Sequence, residues 1–228
     1  MSKDVVLILS GGLDSSTLLY KLLNEGNKVT ALSFNYGQKA AIEIERAAEI
    51  CKMNDVPHFV FDIQNIVDLL SSSLTDQDND NVEEPKSTVV PSRNTILLEL
   101  ATAFAISNNK EEVYYGAIKA DVGDYPDTTP EFLEKINELN KVNNYEYIPV
   151  RAPFIDTDKK DVVKLALKLG VPIEKTWSCY VNNDGTPCGE CFSCKSRIKA
   201  IEEAKKELGM DWLKLINYLV IIFNEYAD

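Results

Sequence analysis

At 228 residues the chain is long enough for one large domain, or one domain with an appendage, around a real core. Its 45% hydrophobic and 26% charged content is that of an ordinary globular protein, and no apolar run reaches the about 20 residues of a membrane span. A net charge of −12, with no arm or stripe of lysine and arginine, argues against a nucleic-acid backbone as partner and for a small molecule.

The chain enters an apolar run at residues 5–9 almost at once, with no basic, apolar, small-residue leader before it. A cytoplasmic protein is therefore expected. Residues 10–16 then read SGGLDSS. A strand, a Ser-Gly-Gly turn and an Asp-Ser-Ser helix start form an anion cradle: Gly11 and Gly12 bring bare N–H groups close to a ligand, and the helix dipole points the same way. The expected ligand is a phosphate. The alternative is a well-capped helix after a strand, for which a single Ser or Asp suffices.

A helix is expected over residues 14–24, a strand over 29–34 and a helix over 39–53, whose apolar face includes Cys51 as a small core residue. A third strand spans residues 58–63, and residues 66–84 read as a polar, acidic surface loop. After Val90-Pro91-Ser92-Arg93-Asn94 comes a helix with Leu97, Leu100, Ala101 and Phe104 on one face. A short strand follows at 113–117, and then a loop carrying Asp121, Asp124, Tyr125 and Asp127. A helix at 130–140, a strand at 148–154 and a helix at 158–169 closed by Gly170 complete the alternation. This order predicts an α/β fold with a doubly wound, mostly parallel sheet and helices on both faces. Its ligand would lie beyond the carboxyl ends of the strands.

The last part differs. Four of the five cysteines fall in the pattern Cys179-x8-Cys188-x2-Cys191-x2-Cys194, with Gly185, Pro187 and Gly189 supplying bends. In a chain with no export signal such crowding reads as metal, and four thiolates with no open position make a closed, structural zinc site. An iron–sulfur cluster and a disulfide pair are the alternatives. A helix over residues 195–207 follows, and then an apolar stretch with Trp212, Leu215, Ile216, Leu219, Phe223 and Tyr226 on one face. That face either packs on the main domain or lines a subunit contact. Two units are expected: residues 1–175, and a metal loop with C-terminal helices at 176–228.

His58 is the only histidine, so there is neither a histidine triad nor a mixed histidine–carboxylate metal site. ATP-dependent activation fits this gap, since the nucleotide makes the electrophile and the protein supplies positioning and charge.

SGGLDSS resembles the phosphate loop of the ATP-pyrophosphatase superfamily, and no Walker A pattern is present. The chain is most similar to one group within it, the 7-cyano-7-deazaguanine synthases. The resemblance runs through SGGLDSS, Phe34-Asn35-Tyr36-Gly37-Gln38, Val90–Asn94 (VPSRN), Tyr125-Pro126-Asp127 and the four-cysteine loop. It implies a homodimer with structural zinc that uses ATP with Mg²⁺ to convert 7-carboxy-7-deazaguanine and ammonia into the nitrile. The steps would be adenylation, amide formation and dehydration, without direct contact to nucleic acid or membrane. It further implies ATP binding by Leu9, Ser10, Gly11, Gly12, Leu13, Asp14, Ser15, Ser16, Thr17 and Phe34. Catalytic roles would fall to Asp14, Ser15 and Arg93. Tyr36, Gln38, Arg93, Asn94, Lys119, Asp121, Tyr125 and Asp127 would shape the substrate pocket, with Asp121 or Asp127 on the deazaguanine edge and Arg93 or Lys119 on the carboxylate or triphosphate. Asn94 and Asp127 have plainer alternatives as helix and turn caps.

The chain departs from the group's pattern at three places. Lys39 is followed by Ala40-Ala41 where a histidine is usual, Asp124 stands for a glycine, and Thr128-Thr129 stand for Cys-Arg. These leave open an amide product or conjugation to another amine. A tRNA-modifying enzyme of the same superfamily would need a basic surface or a free cysteine pair. A non-catalytic metal-stapled interaction module is the reading from another class.

Overall fold

The structure, a computed structural model, describes residues 2–67, 89–119 and 125–209. Five strands, β1 (Asp4–Ile8), β2 (Lys28–Asn35), β3 (His58–Asp62), β4 (Glu112–Tyr114) and β5 (Val150–Arg151), form one parallel sheet in the order β3-β2-β1-β4-β5. The helices are α1 (Leu13–Asn24), α2 (Ile42–Met53), α3 (Gln64–Val67), α4 (Arg93–Ser107), α5 (Pro130–Asn143), α6 (Lys159–Leu169) and α7 (Phe192–Glu207). The doubly wound α/β class read from the alternation is the fold observed. Residues 66 and 67, the expected start of a loop over 66–84, end α3; the rest of that loop, the apolar face from Trp212 to Tyr226 and Asp121 lie outside the described residues.

Side-chain alternation along β1 sends Val5, Leu7 and Leu9 to one face and Val6 to the other, and each face is covered. The first packs against Leu18, Leu19 and Leu22 of α1, Ala47, Ile50 and Cys51 of α2, and Val162 of α6. The second meets Leu97, Leu98, Ala101 and Ala105 of α4 and Ile136 of α5. Cys51 is a buried core residue, as its place in the apolar stripe implied. α7 joins the body by setting Ala200 and Ala204 against Val163 and Ala166 of α6.

Two boundaries differ from the sequence pattern for local reasons. The strand expected over 148–154 is only Val150–Arg151, since Pro153 follows closely and cannot donate to a ladder. The last helix starts at Phe192 rather than at 195, which makes Cys191 its N-cap residue and sets Cys194 in its first turn. Gly170 adopts the left-handed conformation (φ 69°) that ends α6.

Successive crossovers move outward from β1 through β2 to β3, whereas β4 and β5 lie on the other side. The β1/β4 boundary is therefore the switch point, where the two following loops diverge and leave a crevice. Gly11 and Gly116 make the loops fit there. Gly11 has φ +80°, and a Cβ on it would lie 2.1 Å from the Glu43 carbonyl oxygen of α2. A Cβ on Gly116, after β4, would come within 3.1 Å of the Ser15 backbone. Gly11→Ala combines a left-handed backbone with a backbone collision. It is expected to cost about 3 kcal/mol of stability in denaturant unfolding, whereas Gly26→Ala, with open space around it, meets only the conformational penalty.

Candidate active site

One cavity of about 300 Å³ fills the switch-point crevice. Its walls hold the sequence-predicted residues Leu9, Ser10, Gly12, Leu13, Asp14, Ser15, Phe34, Tyr36, Gln38, Arg93, Asn94 and Tyr125. They also hold Glu43, Lys159, Trp177, Ser178, Tyr180, Phe192, Ser193 and Ser196, which sequence reasoning had not singled out.

The phosphate end is built from α1. Gly12 is its N-cap residue, and no side chain caps it, so the well-capped-helix alternative is not what the loop adopts. The first-turn N–H groups are left with no side-chain partner at the cavity, where an anion would satisfy them. The serines shape the loop by bonding to one another. The Ser10 N–H donates to Ser15 Oγ at 3.2 Å, the two hydroxyls lie 3.0 Å apart, and the Gly12 N–H donates to Ser10 Oγ at 3.2 Å. Asp14 accepts from Lys159 Nζ of α6 at 2.6 Å through Oδ2, while its Oδ1 is buried without a hydrogen-bond partner. Ser16 and Thr17 point inward instead: both are fully buried, and Thr17 Oγ1 donates to the Leu13 carbonyl at 2.7 Å.

The other end is an aromatic chamber around a guanidinium and a carboxyl group. Arg93, at the start of α4, donates to Tyr36 Oη at 3.2 Å and stands 5.5 Å from the centre of that ring. Burial works against its charge, but Tyr36, Tyr180 and Asp127 outweigh burial and hold the guanidinium protonated. Burial also raises the phenols of Tyr36 and Tyr180 above their ordinary value. Glu43, in the first turn of α2, is partly open to the cavity yet enclosed by protein. Burial pushes its carboxyl up to about 8, with the charge of Arg93 opposing.

That value has a sign. A carboxyl raised in the fold binds its proton more tightly than in the unfolded chain, so its contribution to stability falls as pH rises from the ordinary carboxylate range toward about 8. Glu43→Gln removes this titration. Melting curves at pH 5 and pH 8.5 are expected to show the wild type losing more stability across that interval than the variant.

Several expected substrate residues also make hydrogen bonds or ion pairs that shape the backbone and surface around the cavity. The Gln38 amide accepts from the Tyr36 N–H at 2.9 Å and donates to the Phe34 carbonyl at 3.1 Å, which locks the turn after β2. Asp127 Oδ2 accepts from the Asn94 N–H at 3.4 Å, and the Asn94 side chain donates to the Asp127 carbonyl at 3.2 Å, so the pair ties the start of α4 to the turn before α5. Lys119 pairs with Asp158 at 3.4 Å, both side chains being more than half exposed, and is not in the cavity wall.

The four cysteines form a second centre beside the cavity. Their Sγ atoms all lie within 4.8 Å of one another. The Asn182 and Cys188 N–H groups donate to Cys179 Sγ at 3.2 and 3.4 Å, and the Cys191 N–H donates to Cys188 Sγ at 3.3 Å. Convergent thiols with N–H donors aimed at sulfur fit a single metal ion held by thiolates. The loop is strapped to the phosphate end: the Trp177 N–H donates to the Gly11 carbonyl at 2.9 Å, and the Ile42 N–H donates to Asn183 Oδ1 at 2.9 Å. Among the described residues no helix is long and apolar enough to cross a membrane.

Comparison with known proteins agrees with this architecture. The family model of the queuosine biosynthesis protein QueC matches residues 4–205. The 7-cyano-7-deazaguanine synthase 1 of Colwellia psychrerythraea is 45% identical over 209 residues, covering 89% of this chain and 95% of that one. The 7-cyano-7-deazaguanine synthase of Psychromonas ingrahamii is 45% identical over 207 residues, covering 88% and 93%. Among solved structures, the U34-tRNA thiolase NcsA from Methanococcus maripaludis with its [4Fe-4S] cluster superposes with a TM-score of 0.51 at 16% identity, over 91% of this chain and 73% of that one. At that identity the likeness is one of fold.

Proposed function

The chain belongs to the family of the queuosine biosynthesis protein QueC, and from that premise we propose how its cavity makes 7-cyano-7-deazaguanine from 7-carboxy-7-deazaguanine, ammonia and ATP. The observation that carries the reaction is the 45% identity to 7-cyano-7-deazaguanine synthases over 89% of the chain. The enzyme is an ATP-dependent carbon–nitrogen ligase. A carboxylate does not accept an amine at neutral pH, because it has no adequate leaving group. Attack of a carboxylate oxygen on the α-phosphorus releases pyrophosphate and supplies one as AMP. Ammonia then displaces AMP to give the amide. A second adenylation, now on the amide oxygen, followed by loss of AMP and protons, leaves the nitrile.

In this reading Leu9, Ser10, Gly11, Gly12, Leu13, Asp14, Ser15, Ser16, Thr17 and Phe34 form the nucleotide end. The open N-terminus of α1 holds the phosphates, with Ser16 and Thr17 fixing the helix from inside. Asp14, whose carboxyl group lines this end of the cavity, would hold the magnesium ion that accompanies ATP. Arg93 meets the substrate carboxylate, and Tyr36 and Tyr125 flank the heterocycle. Gln38, Asn94 and Asp127 keep the chamber in shape. The metal held by Cys179, Cys188, Cys191 and Cys194 is zinc, and it braces the loop rather than entering the reaction. Residues 1–175 form the nucleotide-binding unit, and residues 176–228 the metal loop and the helices packed on it. The protein works as a cytoplasmic homodimer without binding nucleic acid directly.

Mass spectrometry of the product formed from 7-carboxy-7-deazaguanine, ATP and ammonium tests the reading. Nitrile is the expected product. Accumulation of amide with no nitrile would reassign the chain to an amide-forming variant, and no release of AMP or pyrophosphate would overturn the ligase reading.

A further inference from the structure

We propose that Glu43 is the residue that selects the substrate heterocycle, its carboxylate accepting hydrogen bonds from the two adjacent N–H donors of a guanine-like edge. The inference rests on the functional reading above and names the group within that site. Among the described residues the cavity wall holds two carboxyl groups, Asp14 and Glu43. Asp14 is engaged by Lys159 at the phosphate end. Asp127, the other acidic residue expected nearby, is spent on the first turn of α4. Among the described residues that leaves Glu43 as the acceptor at the aromatic chamber, near the guanidinium of Arg93.

The chemistry matches a substrate with a carboxylate at one end and vicinal N–H donors at the other. A carboxylate presents two oxygens to an N1–H and a 2-amino group, as acidic side chains do with paired donors, while the guanidinium takes the acid. The groups facing Glu43 are Arg93 from α4, Tyr36 after β2 and Tyr180 from the cysteine loop. Arg93 carries paired donors of its own, but one of them is given to Tyr36 Oη, and the two tyrosines offer a single hydroxyl each. Before the heterocycle binds, burial holds the Glu43 carboxyl up to about 8 and so protonated at neutral pH. Donors arriving from the substrate favour the charged form, so binding should expel a proton.

The test compares wild type and Glu43→Gln on 7-carboxy-7-deazaguanine and on its analogue lacking the 2-amino group. The wild type is expected to prefer the amino compound by about 100-fold in kcat/KM, since a site built to pair a donor rejects the analogue without it. In Glu43→Gln that preference should collapse to within about fivefold, through KM for the heterocycle and with KM for ATP unchanged. A variant that keeps the full preference would overturn the role of Glu43 while leaving the ligase reading intact. Absence of turnover by the wild type would instead remove the reading itself, and the proposal with it. Calorimetry on the wild type, in two buffers of different ionisation enthalpy near pH 7, gives a measure independent of the variant's folding. About one proton released per bound heterocycle is expected, and none released would overturn the proposal.

Discussion

Replacing Asp14 with alanine is expected to lower ATP turnover by about 10²- to 10³-fold, measured as AMP released with 7-carboxy-7-deazaguanine and ammonium, while the protein stays folded. The magnitude follows from what the side chain holds. One carboxylate oxygen fixes Lys159, which reaches from α6 into the cavity wall, and the other is buried with no partner. Without Asp14 the ammonium of Lys159 loses its anchor, and this end of the cavity loses the carboxyl group that lines it. Arg197, whose charge also acts on Asp14, donates to Ser178 and to the Ile173 carbonyl and is not free to replace Lys159. Ser15→Ala should fall less far, since its hydroxyl mainly holds the turn through the Ser10 N–H and Oγ. Turnover of Asp14→Ala within threefold of wild type would mean that the loop does not carry the nucleotide's reactive end.

The contrast between Asp14 and Glu43 shows what a sequence read alone can deliver. Asp14 sits inside a motif whose meaning is local: a strand, a two-glycine turn and an uncapped helix need no distant contact to be an anion site. The four-cysteine loop is legible for the same reason, since its spacing already brings the sulfurs together. The alternation of strands and helices is likewise a short-range signal, and the sheet has the parallel winding it implied. Glu43 looks like an ordinary acidic residue in the first turn of a helix, where negative charge is favoured anyway. Only its spacing hints otherwise, because positions 43, 47 and 50 share a helical face and the other two are the buried Ala47 and Ile50. A charge on an apolar stripe is a candidate for function.

Tertiary packing decided the remaining assignments. Lys159 begins an amphipathic helix and becomes part of the site only because α6 lies against α1. Gln38, expected at the substrate, lines the cavity and also closes a turn, and Asp127 ties the start of α4, as amide and carboxylate side chains commonly do. Tyr180 and Ser178 enter the cavity from the metal loop, whose position over the phosphate end is set by Trp177 and Asn183 rather than by any short-range pattern.

That dependence makes the metal the second point of large effect. Cys179→Ser is expected to reduce bound zinc from about one equivalent per chain to well below half and to lower the melting temperature by about 10 °C. ATP turnover should fall at least as far as in Asp14→Ala. Cys179 is fully buried, its sulfur accepts two backbone N–H groups, and Trp177 two residues earlier is bonded to Gly11 of the phosphate loop. Loss of one ligand frees the loop at both ends. Trp177 no longer holds the glycine turn, and Tyr180, Phe192, Ser193 and Ser196 leave the cavity wall together. The chemistry and the fold should therefore fail in parallel. Elemental analysis, melting and AMP release on the same preparation read all three. Chelation of the wild type should reproduce the loss, and added zinc should reverse it. Recovery with iron and sulfide alone, together with visible colour, would assign the thiolates to a cluster. Metal-free protein that melts and turns over like the native enzyme would reduce the four cysteines to packing.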